Sequence, residues 1–292
     1  MKQKNFGSLM LICGMLFISG CQIPDIDLPF ISGSQEEKEE KAEVRAAFKQ
    51  DDTKDRKDKK GKSEESSGAI AASQDTYDYV ALGNSVTCSE AEGSIWWGDW
   101  GMAATTAEND YVHLISAWLK EQSNKPVTTM ILDLKKWELA EERDDVLDKY
   151  MAYFDENTDL ITIQTGENIT DFKETLDTDY ESLVSQIKEK APNAQIIMLG
   201  EVLWPSEDIE SAKKAACEAN DVQFLEMTEF LDDYNEVYRS EIGEVVYGED
   251  GKKHIISDEA VAAHPNDEGM ECIAELVTEE ITIQSQSVKD KQ

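Results

Sequence analysis

Basic residues are scarce over most of this chain. From Asp75 to Gln292 there are 16 Lys and Arg against 49 Asp and Glu, so nearly all of the net charge of −34 lies on that stretch. Nucleic acid is held largely by Lys and Arg on phosphates, and this excess of carboxylate argues against it as a partner. It also disfavours polyanionic polymers unless a cation intervenes. Histidine is limited to His113, His254 and His264, and no Cys or His spacing resembles a zinc site. No metal and no cofactor is therefore expected. Cysteine is sparse as well. With Cys13 and Cys21 in the N-terminal segment, Cys88, Cys217 and Cys272 are left, enough for at most one bridge. Disulfides do not set the fold.

The N-terminal residues read as targeting rather than fold. Lys2 and Lys4 precede a short apolar run, Leu9 to Ile18. That run falls short of the roughly 20 residues an ordinary membrane helix needs. The following Ile18-Ser19-Gly20-Cys21 resembles the lipobox of bacterial lipoproteins. The resemblance implies a signal peptide over residues 1–20 and a lipid, such as palmitate, on Cys21. The mature chain would then sit on the cell membrane, facing outside the cytoplasm. Residues 21–75 read as a tether. Between Ser34 and Gln74 the chain is a balanced polyampholyte, with 10 Lys and Arg against 11 Asp and Glu. Its apolar residues are too few to offset the entropy of ordering. Glu36 to Gln50 has the i,i+4 Glu–Lys pairs of a transient helix.

Residues 76–292 are enough for one domain with a sizeable core. Apolar strand-like runs occur at Tyr77–Leu82, Val127–Leu132, Leu160–Thr165, Gln195–Leu199 and Val222–Leu225. Helical patterns lie between and after them, at Asn109–Gln122, Leu134–Phe154, Phe172–Lys190, Ser206–Glu218 and Asp267–Ile281. Runs with apolar residues on successive positions suit parallel strands buried on both faces. Strands alternating with helices form right-handed βαβ units. The expectation is an α/β protein, a three-layer α/β/α sandwich of about five parallel strands. Asp232–His264 is less regular and reads as a long loop with a short hairpin.

Three short motifs stand beyond these runs. Gly83-Asn84-Ser85 follows the first strand, Gly166-Glu167-Asn168 follows the third, and Ala263-His264-Pro265-Asn266 precedes the last helix. Open α/β sheets bind ligands at strand C-termini. A serine, an amide and an imidazole brought there make a nucleophile, an oxyanion donor and a base. In this order the motifs resemble those of the SGNH (GDSL-type) hydrolases, over about Thr76 to Ile283. The resemblance implies a flavodoxin-like sheet of order 2-1-3-4-5. It implies Ser85 as nucleophile and His264 as general base. Its oxyanion hole would draw on the Ser85 N–H, the Asn168 side chain and one N–H from the segment Trp96 to Thr105. Gly101 is the expected donor there, and Ala104 the alternative.

Two positions depart from the family pattern. Asn84 stands where an aspartate is usual, and Val261 stands where the aspartate that orients the histidine is usual. Asp258 and Glu259 are the carboxylates close enough in sequence to take over that task. Otherwise a backbone carbonyl holds the ring and the site is a Ser-His dyad. Trp96, Trp97 and Trp100 either stack on sugar rings or pack a loop against the sheet. Glu201 and Trp204 are candidates for the cleft wall. His113 and His254 read as structural and loop residues, and Cys88 as a small buried apolar side chain. The implied activity is an extracytoplasmic serine esterase acting on acyl groups, including O-acetyl, of an ester substrate such as an acylated glycan. The alternatives are an acyltransferase and a catalytically weak binding or surface-assembly module, which Val261 favours.

Overall fold

The computed structural model describes residues 76–91 and 95–283. The expected signal peptide, the lipid site at Cys21 and the tether lie outside these residues. Five strands form one parallel sheet: β1 (Tyr77–Gly83), β2 (Val127–Asp133), β3 (Thr158–Gln164), β4 (Gln195–Leu199) and β5 (Gln223–Leu225). Their spatial order is β2-β1-β3-β4-β5. The change of direction between β1 and β3 makes the C-terminal ends of these two strands the crevice of the fold.

The helices are α1 (Tyr111–Ser123), α2 (Lys135–Glu138), α3 (Asp144–Met151), α4 (Leu176–Lys190), α5 (Glu207–Asn220), α6 (Thr228–Asp233), α7 (Glu259–Ala262) and α8 (Asp267–Glu280). Side chains alternate across each strand. Tyr79 and Ala81 of β1, with Leu160, Ile197 and Leu199, face α1 and α8. Val80 and Leu82, with Ile161, Ile163, Ile196 and Met198, face α3, α4 and α5. Two apolar layers thus sandwich the sheet, and the α/β/α architecture follows from burial of both strand faces.

The long helical pattern from Leu134 to Phe154 is broken in two. No Gly or Pro marks the break. Arg143, buried between α2 and α3, donates through Nη1 to the Phe172 carbonyl at 2.9 Å and to Asp179 at 2.6 Å. Its Nη2 reaches the carbonyls of Glu138 and Asp171 at 3.3 and 3.4 Å. The Glu138 carbonyl at the end of α2 is thus met by the guanidinium instead of a helical N–H, and α2 ends there with the Glu138 side chain buried. The irregular segment does contain a hairpin, β6 (Val245–Tyr247) with β7 (Lys253–Ile255). It also holds a π-helical turn at Tyr234–Tyr238 and the short α7.

Candidate active site

The end of β1 folds into a single helical turn. Thr87 N–H and Cys88 N–H donate to the Asn84 carbonyl at 2.8 and 2.9 Å, and the Asn84 side-chain oxygen accepts from Val86 N–H at 3.1 Å. Gly83 permits this approach, because a Cβ there would lie 1.9 Å from Thr87 Oγ1 and 2.7 Å from the Gln164 carbonyl. Ser85 is the first residue of the turn, and its N–H has no acceptor among the described residues.

His264 reaches the same point from the C-terminal side. Asn266 caps α8 by accepting from Gly269 N–H at 2.9 Å, and Ser240 N–H donates to the His264 carbonyl at 2.9 Å. The imidazole is 4% exposed, and its Nε2 lies 2.7 Å from Ser85 Oγ. Its Nδ1 lies 2.7 Å from the Ala260 carbonyl oxygen. A carbonyl only accepts, so Nδ1 carries the proton and the Nε2 lone pair faces the serine hydroxyl. This is the tautomer a general base requires. Burial lowers the imidazole pKa to about 4, against the smaller upward pull of the Ala260 carbonyl.

Of the two alternatives for orienting the ring, the structure has the backbone carbonyl, and Asp258 and Glu259 are corrected as candidates. Asp258 Oδ1 accepts from Ala260 N–H at 2.8 Å and from Val261 N–H at 3.4 Å, so it caps α7. Glu259 is exposed on the first turn of that helix. The short helix rises from the Asp258 cap and delivers the Ala260 carbonyl, not a carboxylate, to Nδ1.

The two N–H groups expected to serve as the second oxyanion donor are both bonded within the protein. Gly101 N–H donates to Asp110 Oδ2 at 3.1 Å, and Ala104 N–H donates to the Gly101 carbonyl at 3.2 Å. Neither is available to a substrate. Met102 N–H donates to the Ser85 carbonyl at 2.8 Å, which fixes this loop against the nucleophile turn. The next residue, Ala103, is buried, has φ of 74°, and its N–H has no acceptor among the described residues. Left-handed backbone costs a non-glycine residue about 1–2 kcal/mol. A strained residue with an unspent donor beside the nucleophile is the geometry of an oxyanion contact. Alanine carries no sequence signal for positive φ, which is why Ala103 escaped the motif.

Asn168 follows β3 in a turn closed by Ile169 N–H on the Gly166 carbonyl at 2.9 Å. Gly166 has φ of 130°, a conformation open to glycine. Asn168 Nδ2 donates to Glu138 Oε2 at 2.5 Å, and the amide has no second partner among the described residues. Asn84 Nδ2 donates to Glu138 Oε1 at 2.9 Å and to Glu167 Oε2 at 2.7 Å. The neutral amide at position 84 thereby bridges two buried carboxylates. Burial, and then the charge of Glu167, raise the Glu138 pKa.

Of the three tryptophans, two are buried in the loop packing and one is half-buried. Trp96 and Trp100 are buried and pack edge to face at 5.7 Å, while Trp97 stacks on His254 at 4.4 Å. Glu201 is buried too. Its carboxylate accepts from Ser206 N–H at 2.7 Å, and burial pushes its pKa up to about 7. Trp204, by contrast, is 55% exposed. His113 pairs with Asp110 at 2.8 Å at the start of α1. Cys88, Cys217 and Cys272 are free thiols, and burial pushes Cys88 to about 12, which removes it as a competing nucleophile. Among the described residues no cluster of His, Cys, Asp and Glu is arranged to hold a metal ion.

No protein-family model and no curated protein matches the chain. Solved structures do. Phospholipase A1 from Streptomyces albidoflavus is 16% identical, with a TM-score of 0.44 over 70% of this chain and 99% of that one. The extracellular lipase of Streptomyces rimosus is 15% identical, with a TM-score of 0.43 over 70% of this chain and all of that one, 100%. A family two carbohydrate esterase from Clostridium thermocellum is 17% identical, with a TM-score of 0.43 over 70% and 63% of the two chains.

Proposed function

We propose that this protein is a serine esterase that transfers an acyl group from an ester through Ser85. The observation that carries the reading is the 2.7 Å contact between Ser85 Oγ and His264 Nε2, with the imidazole held in the basic tautomer. His264 takes the serine proton as Oγ attacks the ester carbonyl, and returns it to the leaving alcohol. The tetrahedral oxyanion is met by the N–H groups of Ser85 and Ala103 and by the free N–H of the Asn168 amide. Water, activated by the same imidazole, then releases the acyl group.

The reading extends to O-acyl groups, including O-acetyl, on the hydroxyls of a glycan as the substrate class. Trp204, exposed just beyond β4, offers an aromatic face to stack on a sugar. A signal peptide over residues 1–20 and a lipid on Cys21 would hold the enzyme outside the cytoplasm, on the strength of the sequence around Cys21. The replacement of a histidine-orienting carboxylate by the Ala260 carbonyl supports a second reading, a weakly catalytic surface module on the same fold.

Incubation with a chromogenic acetate ester and with a serine-directed phosphonate separates the two. Turnover, stoichiometric phosphonylation of Ser85, and loss of both in Ser85→Ala are expected of the esterase. Well-folded protein with neither turnover nor labelling is the weak module. Metabolic labelling with palmitate, abolished in Cys21→Ala, tests the anchor.

A further inference from the structure

Glu138 is the least expected side chain at this site. It is 1% exposed, has no basic side chain on its carboxylate among the described residues, and lies close enough to the buried Glu167 for one amide group to bridge them. Burying two unneutralised carboxylates together weakens a fold, and apolar groups of similar size are commonly neutral or better for stability. What Glu138 gains in return is hydrogen bonds, all from the same small region. Oε1 accepts from Asn84 Nδ2 at 2.9 Å, Thr165 Oγ1 at 2.8 Å and Gly166 N–H at 2.6 Å. Oε2 accepts from Asn168 Nδ2 at 2.5 Å. Its own position is fixed from behind, because Leu134 N–H donates to the Gly83 carbonyl at 2.7 Å and Arg143 holds the end of α2.

These contacts link the neighbour of the nucleophile to the turn that carries the oxyanion amide. We infer that Glu138 is a positioning residue, whose carboxylate locks the Asn168 side chain and the Thr165–Gly166 backbone so that the free amide N–H of Asn168 points at the developing oxyanion. The inference rests on the esterase reading and deepens it. An amide group has two N–H bonds in one plane. With one committed to Glu138 Oε2, rotation about the side chain is blocked and the direction of the other is set. A donor fixed in advance stabilises the transition state without reorganising during reaction, and it acts on the oxyanion rather than on the ground-state ester. Position 138 therefore acts through kcat.

The test is a double-mutant cycle of Glu138→Gln and Asn168→Ala on a chromogenic acetate ester, with folding checked by thermal unfolding. Glu138→Gln is expected to lower kcat by at least tenfold with KM within about twofold, and to have less than a threefold effect once Asn168 is alanine. Equal effects in the two backgrounds would show a merely structural role and overturn the inference. Glu138→Asp keeps the charge but shortens the reach, and is expected to behave alike. A second readout needs no turnover. The Asn168 side-chain amide resonance, assigned by its loss in Asn168→Ala, is expected downfield and slow to exchange in the wild-type protein, and shifted toward free-amide values in Glu138→Gln. An unshifted resonance overturns the inference. Failure of wild-type turnover and of Ser85 phosphonylation would instead remove the esterase reading, leaving the resonance to decide the Glu138–Asn168 pairing.

Discussion

His264 Nδ1 is held by the main-chain carbonyl of Ala260, at 2.7 Å, where a carboxylate would be expected. The carbonyl sets ring and tautomer as a carboxylate does, but it carries only a partial charge. It gives the imidazolium less stabilisation after proton transfer. In the proposed esterase it would be a well-oriented but weak base, which separates two contributions that a full triad combines.

Asp258 is then a capping residue, and its substitution should read as one. Asp258→Ala removes the acceptor for Ala260 N–H and Val261 N–H, at a cost of about 1 kcal/mol of stability. The expected change in kcat is under about threefold, whereas loss of a triad carboxylate costs about 10⁴. Denaturant unfolding and steady-state kinetics on Asp258→Ala check this. A loss of about 10³ or more in a folded variant would place the carboxylate back in the mechanism.

The pH dependence follows from the same ring. Reaction needs neutral His264, whose pKa burial lowers from 6.5 to about 4. The acid limb of kcat/KM is expected near pH 4, with a plateau by about pH 5. Stability follows with a definite sign. Between pH 6.5 and 4 the unfolded histidine binds a proton that the folded one does not, so this contribution is complete above 6.5 and is lost as pH falls through 4. The loss is on the order of 3 kcal/mol. Comparing urea unfolding of the wild-type protein with His264→Gln across this window isolates it. A limb near pH 6.5 would mean that the ring is solvated.

The features legible in the sequence were those written in side chains. Apolar runs located the five strands, and Ser85, Asn168 and His264 announced themselves as polar residues just beyond strands or before a helix. The rest of the site is written in the backbone or disguised. The Ala260 carbonyl and the Ala103 N–H belong to residues with no chemistry of their own. Glu138 sits in Lys135-Lys136-Trp137-Glu138, which reads as the solvated start of a helix. Arg143 bonds the Glu138 carbonyl at the end of that helix and the Asp171 carbonyl far along the chain, and neither contact is written in the residues around Glu138.

Ala103 gives a prediction on stability alone. Its φ of 74° costs an alanine but not a glycine. Part of the gain on substitution is lost to the greater freedom of an unfolded glycine. Ala103→Gly is expected to stabilise the fold by about 0.5–1 kcal/mol and to leave kcat within about twofold, since the donor is the main chain. Thermal unfolding with parallel kinetics decides it. Destabilisation would show that the methyl packing outweighs the strain.

Asn84→Asp installs the residue that the resemblance leads one to expect, and it should harm this protein. The Asn84 amide donates to Glu138 at 2.9 Å and to Glu167 at 2.7 Å. Aspartate at that place offers acceptors to acceptors. Two like charges about 4 Å apart repel by about 4 kcal/mol at an effective dielectric constant near 20, so the new carboxyl keeps its proton to well above its usual range. The folded protein then binds a proton that the unfolded chain has released. Stability must fall as pH rises through that interval. The expected deficit against wild type is small at pH 5 and grows to about 2–4 kcal/mol by pH 8, read as a widening gap in Tm. Adding Glu138→Gln to Asn84→Asp removes one of the facing charges and should narrow the gap. A deficit that shrinks with rising pH, or a double variant no better than the single one, would show that Asn84 is not the neutral bridge between Glu138 and Glu167.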